Sequence, residues 1–296
     1  MLFLEAKPFV KWAGGKRQLI EQLVQNLPEE FNNYYEPFLG GGALFFKLSL
    51  LGKIKHAYLN DVSAPLVLAY KTIKEKPTEL IAELGNGKYK NDKETFLRIR
   101  AEQPTDSVRA TARFIYLNKT AFNGLYRVNS SGGFNVPFGK YNNPKILDEE
   151  NILAVSTALQ KDELTCVDFE MAVVSAKKGD LVYFDPPYHP VSKTANFTSY
   201  TKDSFTELDQ ARLAILIRKL TEKGCFVMLS NSYSPLILDL YKEFGVNVVN
   251  ATRMINCKAE GRGKVKEVIV TNYDLLADRQ TQKMQGKLVE KVMALR

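Results

Sequence analysis

Tyr34-Tyr35-Glu36-Pro37-Phe38-Leu39-Gly40-Gly41-Gly42-Ala43 is the stretch from which the fold can be read. It begins aromatic and is bounded by Pro37, which predicts a short strand over Tyr34 to Phe38. Three glycines follow, and Ala43 to Leu51 then has helical spacing. His56 to Asn60 reads as a second strand. Strand, glycine loop, helix, strand is a βαβ unit, and that unit implies a parallel sheet. Upstream, Gly14-Gly15 leads into a helical pattern with Leu19, Ile20, Leu23 and Val24 apolar.

The same alternation resumes at Asp180. Leu181 to Phe184 and Phe226 to Leu229 are buried-strand runs, with a helical pattern from Leu208 to Leu220 between them. Val268 to Asn272 is one more apolar strand. From about Pro65 to about Glu163 the chain is instead rich in Lys, Glu, Gln and Asn. Helical spacing there runs from Leu66 to Ile73 and from Val108 to Leu117. Leu125 to Asn129 and Phe134 to Phe138 flank Ser130-Ser131-Gly132-Gly133, which predicts a hairpin. The expected fold is therefore α/β, with a core formed by 1–65 and 164–273. A mixed helical and hairpin insertion spans 66–163, and 274–296 reads as a polar, solvated helical extension.

Composition narrows the class. The chain has 296 residues, 45% hydrophobic and 25% charged, which excludes a disordered chain or a disulfide scaffold. Lys and Arg number 41 against 33 Asp and Glu, a net charge of +8 that favours a polyanionic partner or an anionic membrane surface. Three cysteines, an odd count, read as reduced thiols in a cytoplasmic protein. The apolar N-terminal run breaks at Glu5, unlike a signal peptide, and no apolar stretch approaches the roughly 18 residues of a membrane helix. Only two histidines, His56 and His189, are present without ligand spacing, so no metal is expected.

Glycines at a strand-to-helix turn let the backbone approach a ligand closely. Asp61 follows Gly40 by 21 residues, at the end of the next strand. An acid there can accept both ribose hydroxyls of an adenosine-containing cofactor. The same geometry serves nicotinamide cofactors, and a glycine-rich connection without a ligand would look alike. A complete G-x-G-x-x-G is absent, because position 45 is Phe. Phe9-Val10-Lys11-Trp12-Ala13-Gly14-Gly15-Lys16 contains the single tryptophan. Its ring could stack on a cofactor and a lysine could meet a carboxylate; a core tryptophan beside a solvated turn is the plain alternative. Gly14-Gly15-Lys16-Arg17 lacks the earlier glycine of a phosphate-binding loop.

Asp185-Pro186-Pro187-Tyr188 follows the strand Leu181 to Phe184. Its chemistry fits methylation of an exocyclic amine. The N6 lone pair of adenine is delocalised into the ring, so the nitrogen is a poor nucleophile. The Asp185 carboxylate and the Pro186 carbonyl can both accept from that amine and favour the tetrahedral nitrogen that attacks a methyl group. Two prolines stiffen the backbone and remove competing N–H groups. Tyr188 offers a flat face to the base, which must be flipped out of a duplex. A buried strand ending in a proline turn would carry the same residues. C5-cytosine methylation would need a nucleophilic cysteine, and Cys166, Cys225 and Cys257 have no neighbouring Pro. His189 reads as a pocket-lip residue. Ser230 and Asn231 either shape the pocket floor or cap their strand. Arg253 to Lys266, with Arg253, Lys258, Arg262, Lys264 and Lys266, is either a phosphate-contacting loop or a solvated charged hairpin.

Together with Asn118 to Pro144, these segments resemble the Dam family of DNA adenine-N6 methyltransferases, and within it the DpnII-type modification methylases. The similarity runs to about Tyr273, in the family's order of cofactor loop, recognition insert and catalytic tetrad. The runs Phe122 to Asn129 and Phe134 to Gly139 are far more specific than the glycine loop. The resemblance implies a Rossmann-like S-adenosylmethionine-dependent methyltransferase core with an inserted helical and β-hairpin target-recognition domain. Trp12, Ala13, Gly14, Lys16, Glu36, Pro37, Phe38, Gly40, Gly41 and Gly42 would surround S-adenosylmethionine, with Asp61 on its ribose. Asp168 would meet the cofactor's adenine amine beside Phe169, and Asp185 would lie against the cofactor as well. Asp185, Pro186, Pro187 and Tyr188 would hold the target adenine.

The resemblance also implies that the hairpin enters the major groove of double-stranded DNA at GATC. Arg127 would read a guanine, an Arg pair to O6 and N7 being the commonest specific contact. Lys11 would touch a second guanine, Leu125 and Pro137 would make apolar contacts to bases, and Asn135 and Tyr141 would also bind the duplex. Phe122-Asn123 would enter the stack when the adenine leaves. A restriction endonuclease of the same system would act without binding this chain; a solitary methylase is the other reading. An RNA adenine or protein-glutamine N-methyltransferase, a nicotinamide-dependent oxidoreductase and a non-catalytic DNA-binding module remain alternatives. The residues after Tyr273 extend past where compact family members usually stop.

Overall fold

A computed structural model of the chain describes residues 5–12, 14, 16, 19–129, 132–190, 205–252 and 264–274. The βαβ unit is present: α1 (Ile20–Gln25), β1 (Tyr34–Glu36), α2 (Ala43–Leu50) and β2 (Ala57–Asn60). β1 and β2 run parallel, with Tyr34 opposite Ala57. The connection to the next strand holds α3 (Ala64–Glu75), α4 (Pro77–Gly85), α5 (Lys93–Ala101), α6 (Ser107–Thr120), a single turn Phe122–Gly124 and α7 (Glu149–Leu159). β3 (Glu163–Thr165), β4 (Leu181–Phe184), α8 (Glu207–Glu222), β5 (Phe226–Ser232), α9 (Pro235–Leu240), β6 (Gly245–Thr252) and β7 (Lys264–Thr271) follow.

The seven strands form one sheet in the order β3-β2-β1-β4-β5-β7-β6. β3, β2, β1, β4 and β5 are parallel, whereas β7 runs antiparallel to both β5 and β6. Successive side chains of a strand face opposite sides of the sheet. Tyr34, Leu59, Leu181 and Met228 accordingly enter one apolar cluster. Tyr35, Val182, Phe184 and Leu229 enter the other, with Leu213 and Ile217 of α8. The first cluster continues without a break into Leu80, Phe96, Tyr116 and Leu117 of the crossover helices. Those polar helices are thus fastened to the sheet by a shared core.

α5, α6 and α7 start at side-chain caps, which satisfy otherwise orphaned N–H groups. Asp92 accepts from Thr95 N at 2.7 Å, Asp106 from Arg109 N at 2.9 Å, and Asp148 from Asn151 N at 3.4 Å. α8 opens on a reciprocal capping box between Thr206 and Asp209.

The predicted hairpin needs correction. The chain does reverse, with Asn135 N donating to Arg127 O at 3.0 Å and Asn129 N to Gly133 O at 2.8 Å. Its pairing is confined to isolated bridges, Val128 with Phe134 and Ala121 with Phe138. Side-chain packing replaces the ladder: Phe134 and Val136 are buried, and the Phe134 ring centroid lies 5.2 Å from that of Tyr126. Ser130 and Ser131 of the predicted turn lie outside the described residues. The sequence pattern gives no ranges for α4, α5, α7, α9 and β3, which are short or polar, and implies β6 only as a strand preceding Arg253.

Candidate active site

Strand order reverses between β1 and β4, and ligands of open parallel sheets bind at the carboxyl ends of strands beside such a switch point. Glu36 and the glycine loop leave β1 there, Asp61 follows β2, and Asp185 follows β4. Ser230 lies in neighbouring β5.

The loop and its acid are bound directly. Gly40 N donates to Asp61 Oδ2 at 2.9 Å, and Ser63 N donates to Oδ1 at 2.8 Å. Burial pushes the Asp61 carboxyl up, and these two backbone donors oppose the shift. Asn60, also buried, donates to Pro37 O and Val167 O at 3.0 Å each, tying the glycine loop to the segment that carries Asp168. Gly40 and Gly42 have φ of +50° and +68°. A Cβ on Gly40 would lie 2.9 Å from Trp12 Cδ1, and one on Gly42 would lie 2.8 Å from the Tyr70 hydroxyl. Two rings therefore press against this turn, and only glycine leaves them room. Trp12 is half-buried, and its other ring neighbours are Phe114 and Tyr126, at 6.1 and 6.3 Å.

Phe38 stacks on Phe169 at 5.5 Å, and Phe205 stands edge-on to Phe38 at 5.7 Å. Asp168 is paired with Arg212, whose Nη2 donates to both carboxylate oxygens at 3.2 and 3.3 Å. The same guanidinium lies 4.9 Å over the Phe169 ring. Sequence reasoning missed Arg212; its only signal was its place one turn after Asp209, to which it also bonds.

Asp185 sits at the centre. Lys16 Nζ lies 2.7 Å from Asp185 Oδ1, donates to Gly14 O at 2.7 Å, and stands 4.5 Å over the Tyr188 ring. Ser230 Oγ donates to the same Oδ1 at 2.8 Å, and the Tyr183 hydroxyl lies 2.9 Å from Ser230 Oγ. Burial raises the Asp185 carboxyl above its usual range, against the pull of Lys16 and Ser230. Lys16, expected around the cofactor, pairs here with the Asp185 carboxylate. Beneath them Glu36 is buried and accepts from the Tyr34 hydroxyl at 2.9 Å. Its pKa is pushed up to about 8, by burial first and by the nearby Asp185 charge as well. Tyr188 donates to Glu267 at 3.1 Å. His189, expected at the lip, is held between Ser234 Oγ at 3.0 Å and Glu207 Oε1 at 3.2 Å.

A second group gathers on the crossover. Buried Asn118 accepts from Lys11 N at 2.9 Å and donates to Lys11 O at 2.8 Å and Gly124 O at 2.9 Å. It clamps Lys11 beside the Phe122–Gly124 turn. Phe122 is 49% exposed, which is unusual for an aromatic of that size, and Asn123 has φ +56°. The Lys11 ammonium lies 5.4 Å over the Tyr141 ring. Arg127 Nε donates to Asn135 Oδ1 at 2.8 Å, and both Arg127 and Pro137 are exposed. Leu125 is half-buried against the core.

Ala13, Gly15, Arg253, Cys257, Lys258 and Arg262 lie outside the described residues, as does the extension beyond Asp274. Cys166 is exposed and Cys225 is buried. Among the described residues no group of three or more His, Cys, Asp or Glu side chains could hold a metal ion. None of the described helices is long and apolar enough to cross a membrane.

Residues 12–255 match the family described as D12 class N6 adenine-specific DNA methyltransferase. The chain is 45% identical over 278 residues to the type II methyltransferase M1.LlaDCHI of Lactococcus lactis subsp. cremoris, covering 91% of this chain and 96% of that one. It is 43% identical to the type II methyltransferase M.MjaIII of Methanocaldococcus jannaschii, covering 91% and 100%. A DNA adenine methylase of Vibrio cholerae is 37% identical, covering 89% and 95%.

Proposed function

The chain belongs to the D12 class of N6 adenine-specific DNA methyltransferases, and from that premise we propose that it methylates adenine N6 in double-stranded GATC sites, with S-adenosylmethionine as donor. The reading includes a role as the modification enzyme of a restriction system. Relatives named type II methyltransferase, at 45% and 43% identity against 37% for the DNA adenine methylase, favour that role. GATC rests on the match of Lys11, Leu125, Arg127 and Pro137 to the Dam family's base contacts.

One observation carries the chemistry. The Asp185 carboxylate and the Tyr188 ring already grip a nitrogen donor between them, Lys16 Nζ, at 2.7 Å and 4.5 Å. An adenine amine asks for the same surroundings: an acceptor for its N–H and an aromatic face for its ring. The residues fit the donor too. Asp61 and Asp168 follow the adjacent parallel strands β2 and β3 and suit ribose hydroxyls and an adenine amine, and the stacked rings of Phe38 and Phe169 supply apolar faces. When bound, S-adenosylmethionine supplies an electrophilic methyl group on a sulfonium sulfur.

Asp185 and the Pro186 carbonyl accept the two N–H bonds of the flipped base. This withdraws the nitrogen lone pair from ring conjugation. The N6–C bond would form as the carbon–sulfur bond of the donor breaks, its electron pair staying on a neutral thioether sulfur, and N6 then loses one proton to solvent, so Asp185 need not act as a strong base. Asp185→Ala is expected to abolish transfer of labelled methyl groups to plasmid DNA while the cofactor still binds. Full activity of that variant, or methylation that leaves GATC-sensitive endonucleases unaffected, overturns the proposal.

A further inference from the structure

Gln210 is 1% exposed on a helix face that otherwise buries Leu213, Ala214 and Ile217. A buried amide costs free energy unless both ends are paired, and here they are. Gln210 Nε2 donates to Pro187 O at 3.0 Å, and Asn231 Nδ2 donates to Gln210 Oε1 at 3.1 Å. Asn231, fully buried in β5, accepts on Oδ1 from His189 N at 3.2 Å and from Ser232 N at 2.8 Å. Ser232 Oγ donates to His189 O at 2.6 Å.

The direction of this chain of bonds is forced. Pro187 O can only accept, so Gln210 must offer its NH2. The two backbone N–H groups can only donate, so Asn231 must offer its carbonyl. Its amide nitrogen then faces the Gln210 oxygen. From the Pro187 carbonyl through the His189 peptide, the stretch around Tyr188 is fixed by side chains of α8 and β5.

We infer that Gln210, backed by Asn231, is a positioning residue for methyl transfer: it anchors the Pro187 carbonyl and thereby aims the Pro186 carbonyl and the Tyr188 ring at the target amine. The proline ring sets φ at Pro187, and the Gln210 bond restrains its ψ. Those two angles orient the peptide plane that carries the Pro186 oxygen. With both proline nitrogens lacking hydrogens, Gln210 takes the second carbonyl and leaves the first for substrate. The inference rests on the reading of the tetrad given above.

The test compares Gln210→Met, Gln210→Glu and Asp185→Ala in single-turnover methylation, with cofactor and DNA dissociation constants measured alongside. Both Gln210 variants are expected to lose about 10–100-fold in rate, the effect of a small misplacement, with both dissociation constants nearly unchanged. In Gln210→Glu a carboxylate faces the Pro187 carbonyl, and protonating it restores a donor. Its rate deficit should narrow as pH falls, whereas the Gln210→Met deficit should not. The titratable groups around the segment, Lys16, Asp185, Tyr188, His189, Glu207, Asp209 and Glu267, are shared by both variants, so their comparison at each pH cancels them. If Gln210→Met does not fold, the pH series of Gln210→Glu against the unsubstituted enzyme decides. Unsubstituted rates, or a deficit in Gln210→Glu that ignores pH, overturn the inference while an inactive Asp185→Ala keeps the tetrad reading. An active Asp185→Ala overturns the tetrad reading and the inference with it.

Discussion

Asp185 is held between burial, which favours its neutral form, and the Lys16 ammonium 2.7 Å away, which favours its charge. Lys16→Met removes the larger of the opposing influences. Its acid limb in a pH–rate profile should therefore move to higher pH, with a lower rate at neutrality; an acid limb that stays in place would show that Lys16 does not control Asp185. Glu36 makes a separate prediction about stability. Its folded pKa is about 8 against an ordinary 4.5, so between those values the folded chain binds a proton that the unfolded chain has lost. Stability from this group is fully present below about pH 4.5 and is lost as pH rises through about 8. Glu36→Gln cannot titrate, so thermal unfolding midpoints of the two proteins should diverge with pH across that window. Parallel curves would mean that Glu36 is charged in the folded state.

Elements were legible where burial follows sequence alternation. β1, β2 and β4 are runs whose neighbouring residues divide between the two cores, and the glycines marked the turn that β1 feeds. The crossover helices were harder, because their apolar faces are narrow and their boundaries are set by single capping acids such as Asp92 and Asp148. The bounds of β6 were not legible, because Asn247 and Asn250 interrupt it on an edge of the sheet. The Phe122–Gly124 turn depends on a buried amide that no periodicity reveals. Asn118→Ala would orphan Lys11 N and two carbonyls, which should cost about 1–3 kcal/mol in urea unfolding. Gly124→Ala would force a Cβ to within 2.5 Å of Lys11 Cδ at φ +64°, costing about 1–2 kcal/mol for the backbone alone. The two sites share Lys11, so the double variant should lose less than the sum; strict additivity would show that they do not act on one clamp.

Across the whole molecule, the candidate site gathers residues that stand far apart in the chain. Glu36 and Asp185 came within reach of sequence reading through strand-end motifs and family resemblance. Arg212 and Gln210 did not, because on α8 they look like ordinary positions of an amphipathic helix. The proposed recognition surface divides similarly between a general attraction and a specific reader. The net charge of +8 draws any duplex toward the protein, and that attraction falls with salt without regard to sequence. Arg127 has a different assignment. Its Nε is tethered to Asn135 Oδ1 at 2.8 Å, which restrains an exposed side chain and leaves the two Nη nitrogens as the fork that guanine O6 and N7 require. Arg127→Ala should therefore relax discrimination between GATC and single-base variants at one guanine by about 1–3 kcal/mol. A phosphate contact would behave otherwise, weakening all sequences alike and reducing the salt slope by about one. Transfer rates on GATC and its single-base variants, measured at several salt concentrations, separate the two. Asn135→Ala, which frees the tether but keeps the fork, should fall between Arg127→Ala and the unsubstituted chain. A preference for GATC that survives Arg127→Ala intact would remove Arg127 from base reading and leave it to the backbone.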